Sequence, residues 1–155
     1  MMRLLQYAFL ACALLCSSCK KDKDSVPTIE PAVGIEIADF AGEWRLSAWS
    51  GGTDLDKEIY LQLNADRTFT LYQNIVSHGF ERFDGTFTFD SQSALIRGTY
   101  ANGTPWGGEY IIGALTENSM QWQMVGTSDI ATYTRSVIPD LPLQPASRSG
   151  SVPFL

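Results

Sequence analysis

The chain is 155 residues long and acidic, with 17 Asp and Glu against 11 Lys and Arg, a formal charge of −6. No basic cluster offsets that excess, which argues against nucleic acid or anionic headgroups as partners. One histidine and three cysteines leave little material for a zinc site or an imidazole-based catalytic centre.

The N-terminus is read first, because a targeting segment contributes nothing to the fold. After Met1-Met2-Arg3, Leu4 to Cys16 is an apolar run of 13 residues with Gln6 its only strongly polar member. A membrane-spanning helix needs about 20 such residues, so the run has the length of a signal-peptide core. It ends in "CSSCKKDKD", with small residues before a cysteine and charges after it. Cys16-Ser17-Ser18-Cys19 resembles the lipobox of bacterial lipoproteins, with Cys16 where that motif usually carries an aliphatic residue. The resemblance implies removal of residues 1–18 and acylation of Cys19 by chains such as palmitate. The protein would then be anchored to the outer membrane by lipid. Ordinary cleavage leaving a free Cys19 thiol is the alternative. The run Lys20-Lys21-Asp22-Lys23-Asp24 is similar to the surface-export signals of Bacteroidota lipoproteins, which implies display on the cell surface, or otherwise a periplasm-facing position. Cleavage removes Arg3 and no acid, leaving 10 basic and 17 acidic side chains and a charge of −7. It also leaves Cys19 as the only cysteine, so the mature domain must be stable through its core, without a disulfide.

Residues 19–38 contain two prolines and no sustained apolar period, and read as a flexible tether. Residues 137–155 carry four prolines and little to bury, and read as a disordered tail. Between them, residues 39–136 have the size of one domain.

That domain is a succession of strand patterns. "EWRLSAW" alternates, with Trp44, Leu46 and Ala48 on one face. "EIYLQL" places Ile59, Leu61 and Leu63 opposite Tyr60 and Gln62. "TFTLYQNIV" follows a polar turn, and "FERFDGTFTF" alternates through Phe87 and Phe89 with a bulge or bend expected at Asp84-Gly85. "SALIRGTY" runs into Asn102-Gly103, the strongest hairpin signal in the chain. "GGEYIIGAL", "MQWQMV" and "IATYTR" complete eight strands with short connections. The reading is all-β, an eight-stranded antiparallel up-and-down barrel, since closure removes exposed edges. Glu43, Arg45, Gln62, Thr68, Thr70, Gln121 and Gln123 oppose the apolar faces, so the exterior belongs in water and not in lipid.

Gly42-x-Trp44 on the first strand resembles the signature of the lipocalin superfamily. "LNADRTFTL", "DGTFTF", "IRGTYANGTPWGGEYII" and the closing "YTR" extend the resemblance to the lipocalin-like lipoprotein domains of Bacteroidota. It implies that Trp44 plugs one barrel end with Arg135 lying across it, and that Gly42 permits close backbone approach. It also implies a ligand-binding, non-catalytic protein. The absence of a long lid after the first strand sets the chain apart from the large transport lipocalins.

Enzymatic constellations are hard to assemble. His78 with Glu81 offers two metal ligands at most, and Asp54, Asp56 and Glu58 lack the density of a calcium loop. No cofactor and no metal are implied. Phe69, Leu71, Phe87, Tyr110, Trp122 and Met124 are the candidates to line a pocket for a small apolar or amphipathic ligand, alongside Phe89 in the interior. Small barrels are either filled by side chains or left open for one ligand, and both outcomes stay open. The rival is a solid-core module gripping a protein or glycan through aromatic residues such as Trp49, Tyr100 and Trp106, and on either reading the protein is expected to be a monomer.

Overall fold

The computed structural model of the chain describes residues 28–51, 57–75, 79–144 and 152–155. The signal-like run, Cys19, Asp54, Asp56 and His78 lie outside the described residues. A single turn of helix, α1 (Ile37–Phe40), precedes eight strands: β1 (Gly42–Trp49), β2 (Glu58–Leu63), β3 (Thr68–Asn74), β4 (Glu81–Asp90), β5 (Leu95–Tyr100), β6 (Tyr110–Gly113), β7 (Ser119–Met124) and β8 (Ile130–Arg135). Each strand pairs antiparallel with its chain neighbour, and β1 pairs with β8 to close the barrel. Among the described residues, no helix is long and apolar enough to cross a membrane.

The alternating pattern decides which side chains face inward, because pairing partners on neighbouring strands share a face. Leu63, Phe69, Gly85 and Tyr100 are successive partners across β2 to β5. Phe89, Ile96, Tyr110 and Met124 form a second inward row, and Ile112, Trp122, Ala131 and Trp49 a third. Ile59, Leu61, Leu63, Phe69, Leu71, Phe87, Ile112, Met120, Trp122 and Tyr133 are all buried in this single core. Each such large apolar side chain contributes about 1.5–3 kcal/mol when fully withdrawn from water.

Two interior glycines shape that core. Gly85 and Gly98 leave positions that aromatic rings occupy: Phe69 packs against Gly85, and the Trp106 indole lies where a Gly98 side chain would begin. The strand therefore runs straight through Asp84-Gly85, in regular register on both sides, and the expected bulge is absent there. The glycine gives way to a neighbour's ring rather than bending the chain. The register break falls instead in β1, between Leu46 and Ala48. It turns Ala48 outward, against the simple alternation of "EWRLSAW".

Within the expected tether and tail, the described residues 28–38, 137–144 and 152–155 make contacts with the barrel. Within residues 28–38, Pro31 bridges Gly113, Ala32 N donates to Ile112 O at 2.9 Å, and Gly34 N donates to Ser91 O at 2.8 Å. The segment lies over the outside of β6 and β7, where Ile29 N donates to the Gln123 side chain at 2.7 Å. Gln123 is consequently buried rather than solvated, as is Thr70, whose hydroxyl donates to Asp84. Beyond β8, Phe80 and Leu143 form a parallel bridge, and Phe154 and Leu155 join the core. Proline content misled here because extended, proline-containing chain can still supply carbonyls and side chains to a neighbouring barrel.

Gly98→Ala is expected to lower stability by about 1–3 kcal/mol, because overpacking displaces the Trp106 ring. Urea unfolding followed by tryptophan emission measures it. Gly103→Ala has open space and pays only for its positive φ of 86°, so its loss should be the smaller, near 1 kcal/mol.

Candidate functional site at the barrel mouth

The barrel has two unlike ends. At one, α1 tucks Phe40 beneath the barrel, with its ring 4.8 Å from Phe89 and 6.2 Å from Phe87. Trp44 is fully buried beside it, and its Nε1 donates to Phe40 O at 2.9 Å. The Arg135 guanidinium lies over the Trp44 ring, 4.2 Å from the centroid. Its Nε donates to Glu117 O at 2.7 Å and its Nη1 to Ala41 O at 3.0 Å. Gly42 sits at φ 136°, and any side chain there would run into the Arg135 guanidinium. Two carbonyls and a ring face thus satisfy one cation, worth about 0.5–2 kcal/mol for the ring contact alone.

The opposite end is the mouth, where β1, β3, β5 and β7 finish and β2, β4, β6 and β8 begin. The hairpin signal at Asn102-Gly103 makes a tight turn, with Gly103 N donating to Tyr100 O at 2.8 Å. The chain then folds back along β5: Thr99 bridges Pro105, and Trp106 N donates to Gly98 O at 2.9 Å. This return carries Trp106 into the interior, 5.0 Å from Phe69, 6.0 Å from Tyr110 and 5.8 Å from Trp122. β5 and β6 themselves share only two register pairs, so the indole fills the gap between them.

The six pocket candidates separate in space. Tyr110, Trp122 and Met124 line a small cavity of about 60 Å³ together with Trp49, Asp129, Ala131 and Phe154. Tyr110 and Met124 also face a larger cleft of about 510 Å³, walled by Phe83, Tyr100, the 102–107 turn and residues 152–155. Phe69 packs deeper, edge-on to Tyr100 and Trp106. Leu71 is wholly within the core, and Phe87 lies toward Phe40 at the closed end, so neither borders these two spaces. Tyr100 and Trp106 are buried rather than displayed, and only Trp49 of that aromatic trio remains partly open, with Lys57 Nζ 4.8 Å from its ring.

Polar groups are sparse in this interior and unevenly satisfied. Tyr100 Oη donates to Leu155 O at 2.8 Å. Gln73, fully buried on the inner face of β3, holds residues 152 and 154: its Nε2 donates to Val152 O at 3.1 Å and its Oε1 accepts from Phe154 N at 2.8 Å. Trp106 Nε1 and Tyr133 Oη are buried without a hydrogen-bond partner. An unmet buried donor costs about 1–3 kcal/mol, and neither residue borders the small cavity or the larger cleft. Neither Gln73 nor the Phe154-Leu155 pair stood out in the sequence. The legible signal for Trp106 was the turn that reverses the chain four residues before it, opposite a glycine.

Among the described residues no group of three or more His, Cys, Asp or Glu converges as a metal site would require.

A family model for the lipocalin-like domain matches residues 40–122, more than half of the chain. The chain belongs to the lipocalin-like family. This lipocalin-like chain is also similar in fold to a solved lipocalin-like protein from Bacteroides uniformis ATCC 8492, at 15% identity and a TM-score of 0.50, covering 63% of this chain and 99% of that one. A second protein from the same strain, solved by NMR, matches at 24% identity and a TM-score of 0.51, covering 65% of this chain and 92% of that one. Comparison with curated proteins finds no match.

Burial raises the pKa of three mouth and core tyrosines. Tyr110 is pushed up to about 12 by desolvation. Tyr100 and Tyr133 are likewise raised, by desolvation first and by neighbouring phenols second. Unfolded tyrosines ionise near pH 10, so the stabilisation is complete below that pH and is lost as pH rises through the folded values. Phenolate absorbance of the lipocalin-like domain should show these three titrating late, and urea stability should fall above about pH 10.

Proposed function

We propose that this lipocalin-like protein is a non-catalytic, lipid-anchored binding protein of the outer membrane, taking a small amphipathic ligand at the barrel mouth. The observation that carries the reading is the cleft of about 510 Å³, bordered by Phe83, Tyr100, Tyr110 and Met124. Its size falls within the roughly 300–1,000 Å³ usual for small-molecule sites. The Tyr100 and Tyr110 side chains beside apolar Phe83 and Met124 suit an amphipathic guest over a pure hydrocarbon. Membership of the lipocalin-like family supports ligand binding over catalysis.

The anchor rests on Cys19 and the residues before it. A single acyl chain binds membranes marginally, at about 0.8 kcal/mol per buried CH₂, whereas two or three hold firmly. Cys19→Ser should therefore release the protein, unacylated, into the soluble fraction. An acylated Cys19→Ser protein in the membrane fraction would defeat the assignment.

Binding is tested by titrating tryptophan emission with hydrophobic probes. Saturable quenching that is lost in Trp122→Ala supports the mouth, and no response to any probe counts against it. A second reading has its own observation. The outer surface of β2 to β5 carries a trough of about 700 Å³, bordered by Gln62, Asn64, Thr70, Arg82, Asp84 and Thr99. Its polar side chains beside Phe69 and Tyr100 suit a glycan or protein partner, and it would keep binding after Trp122→Ala.

A further inference from the structure

We propose that the mouth is a receptor for an extended apolar peptide segment of a partner protein, held through its backbone and two apolar side chains together, with Val152–Leu155 as its resident, displaceable occupant. The proposal rests on the ligand-binding reading above and gives that ligand a chemical class.

Backbone recognition is written in Gln73 and Tyr100. A primary amide offers one acceptor and two donors, and Gln73 presents an acceptor and a donor to Phe154 N and Val152 O. This is the pair of contacts that a neighbouring strand makes with residues two apart. Tyr100 Oη then takes the oxygen of Leu155. Three main-chain groups of four residues are thus held by two interior side chains. Such contacts supply affinity independent of sequence, while side-chain pockets supply selectivity. Gln73 Nε2 also lies 3.5 Å from Glu81 Oε2, and the contacts to Val152 and Phe154 add main-chain partners to the amide. The position therefore favours a guest with peptide groups over one with hydrocarbon alone.

The pocket reads side chains at two positions. The Phe154 ring meets Trp49 edge-on at 5.6 Å and borders the small cavity shared with Tyr110, Trp122 and Met124. Leu155 is 4% exposed. Pro153 between Val152 and Phe154 takes no part in these bonds, which suits a main chain gripped on one side only. Phe154, Tyr110 and Met124 form the common wall between the small cavity and the 510 Å³ cleft. Withdrawal of Phe154 joins the two spaces, so the occupant holds the site without filling it.

Because the occupant belongs to the same chain, it competes intramolecularly, as a tethered ligand does. A partner's segment must outbid it.

The test uses a fluorescein-labelled Ser-Val-Pro-Phe-Leu peptide, followed by anisotropy, with the full chain and with its Phe154→Ser/Leu155→Ser variant. The variant should bind the peptide saturably and at least about tenfold more tightly than the full chain, which carries its own competitor. A peptide N-methylated at phenylalanine, unable to donate to Gln73, should lose roughly tenfold in affinity. Gln73→Leu in the variant background should show the same loss, and the methylated peptide tests the point even if that substitution fails to fold. Equal binding by full chain and variant, or equal binding of methylated and unmethylated peptides, overturns the proposal. Concentration-dependent dimers of the full chain in sedimentation, abolished by the double substitution, would assign the site to tail exchange between copies and overturn it also. A hydrophobic dye run in parallel separates the two readings. Dye binding without peptide binding defeats this inference alone, and peptide binding without dye binding defeats the small-ligand reading alone.

Discussion

Closure of β1 on β8 is the constraint from which the rest of the molecule follows. An open sheet of eight strands would expose two edges, and pairing Trp44 with Arg135, Leu46 with Tyr133 and Trp49 with Ala131 leaves none. The closing register also brings a cation onto the indole at the one end where α1 seals the barrel. Gly42 exists to let that happen. With one end occupied by Phe40, Trp44 and Arg135, only the other end is available to a guest. The asymmetry between the ends is thus a consequence of which strand ends meet at the closure.

The interior then divides by depth. Leu61, Leu71, Ile96, Ile112 and Met120 are packed throughout and make the middle solid. Toward the mouth the large residues become aromatic and begin to carry polar tips, as in Tyr100, Tyr110, Trp106 and Trp122. Rings that must keep an N–H or O–H satisfied pack less freely than leucine. Space consequently accumulates at that end. The contrast between a filled barrel and a hollow one dissolves into position: filled below, with room above.

Strand order, closure and most inward positions were legible in alternation. Ile59, Leu61 and Leu63 face in because their neighbours on β1 and β3 do, and period-two patterning carries that information locally. What alternation could not carry was contact between segments remote in sequence. Gln123 reads as a solvated strand residue until Ile29 covers it. Gln73 shares the inward face of Phe69 and Leu71, but alternation says nothing of its partners, residues 152 and 154, 79 and 81 positions away. Leu71 and Phe87 passed every local criterion for pocket lining, yet depth along the barrel depends on strand tilt, and tilt leaves no mark on a single strand's pattern. Proline counting failed for a related reason. It registers what a segment cannot do alone and says nothing of what a neighbouring surface can do with it.

The seam between β5 and β6 has a further implication. Elsewhere neighbouring strands share four to six register pairs, but here Leu95–Ile111 and Ile96–Tyr110 stand alone, with the Arg97–Glu109 ion pair outside and the Trp106 ring within. A staved cask whose hoops are sound everywhere but along one joint widens at that joint. Along that joint the width of this barrel is held less by main-chain pairing than by the Trp106 ring seated against Gly98.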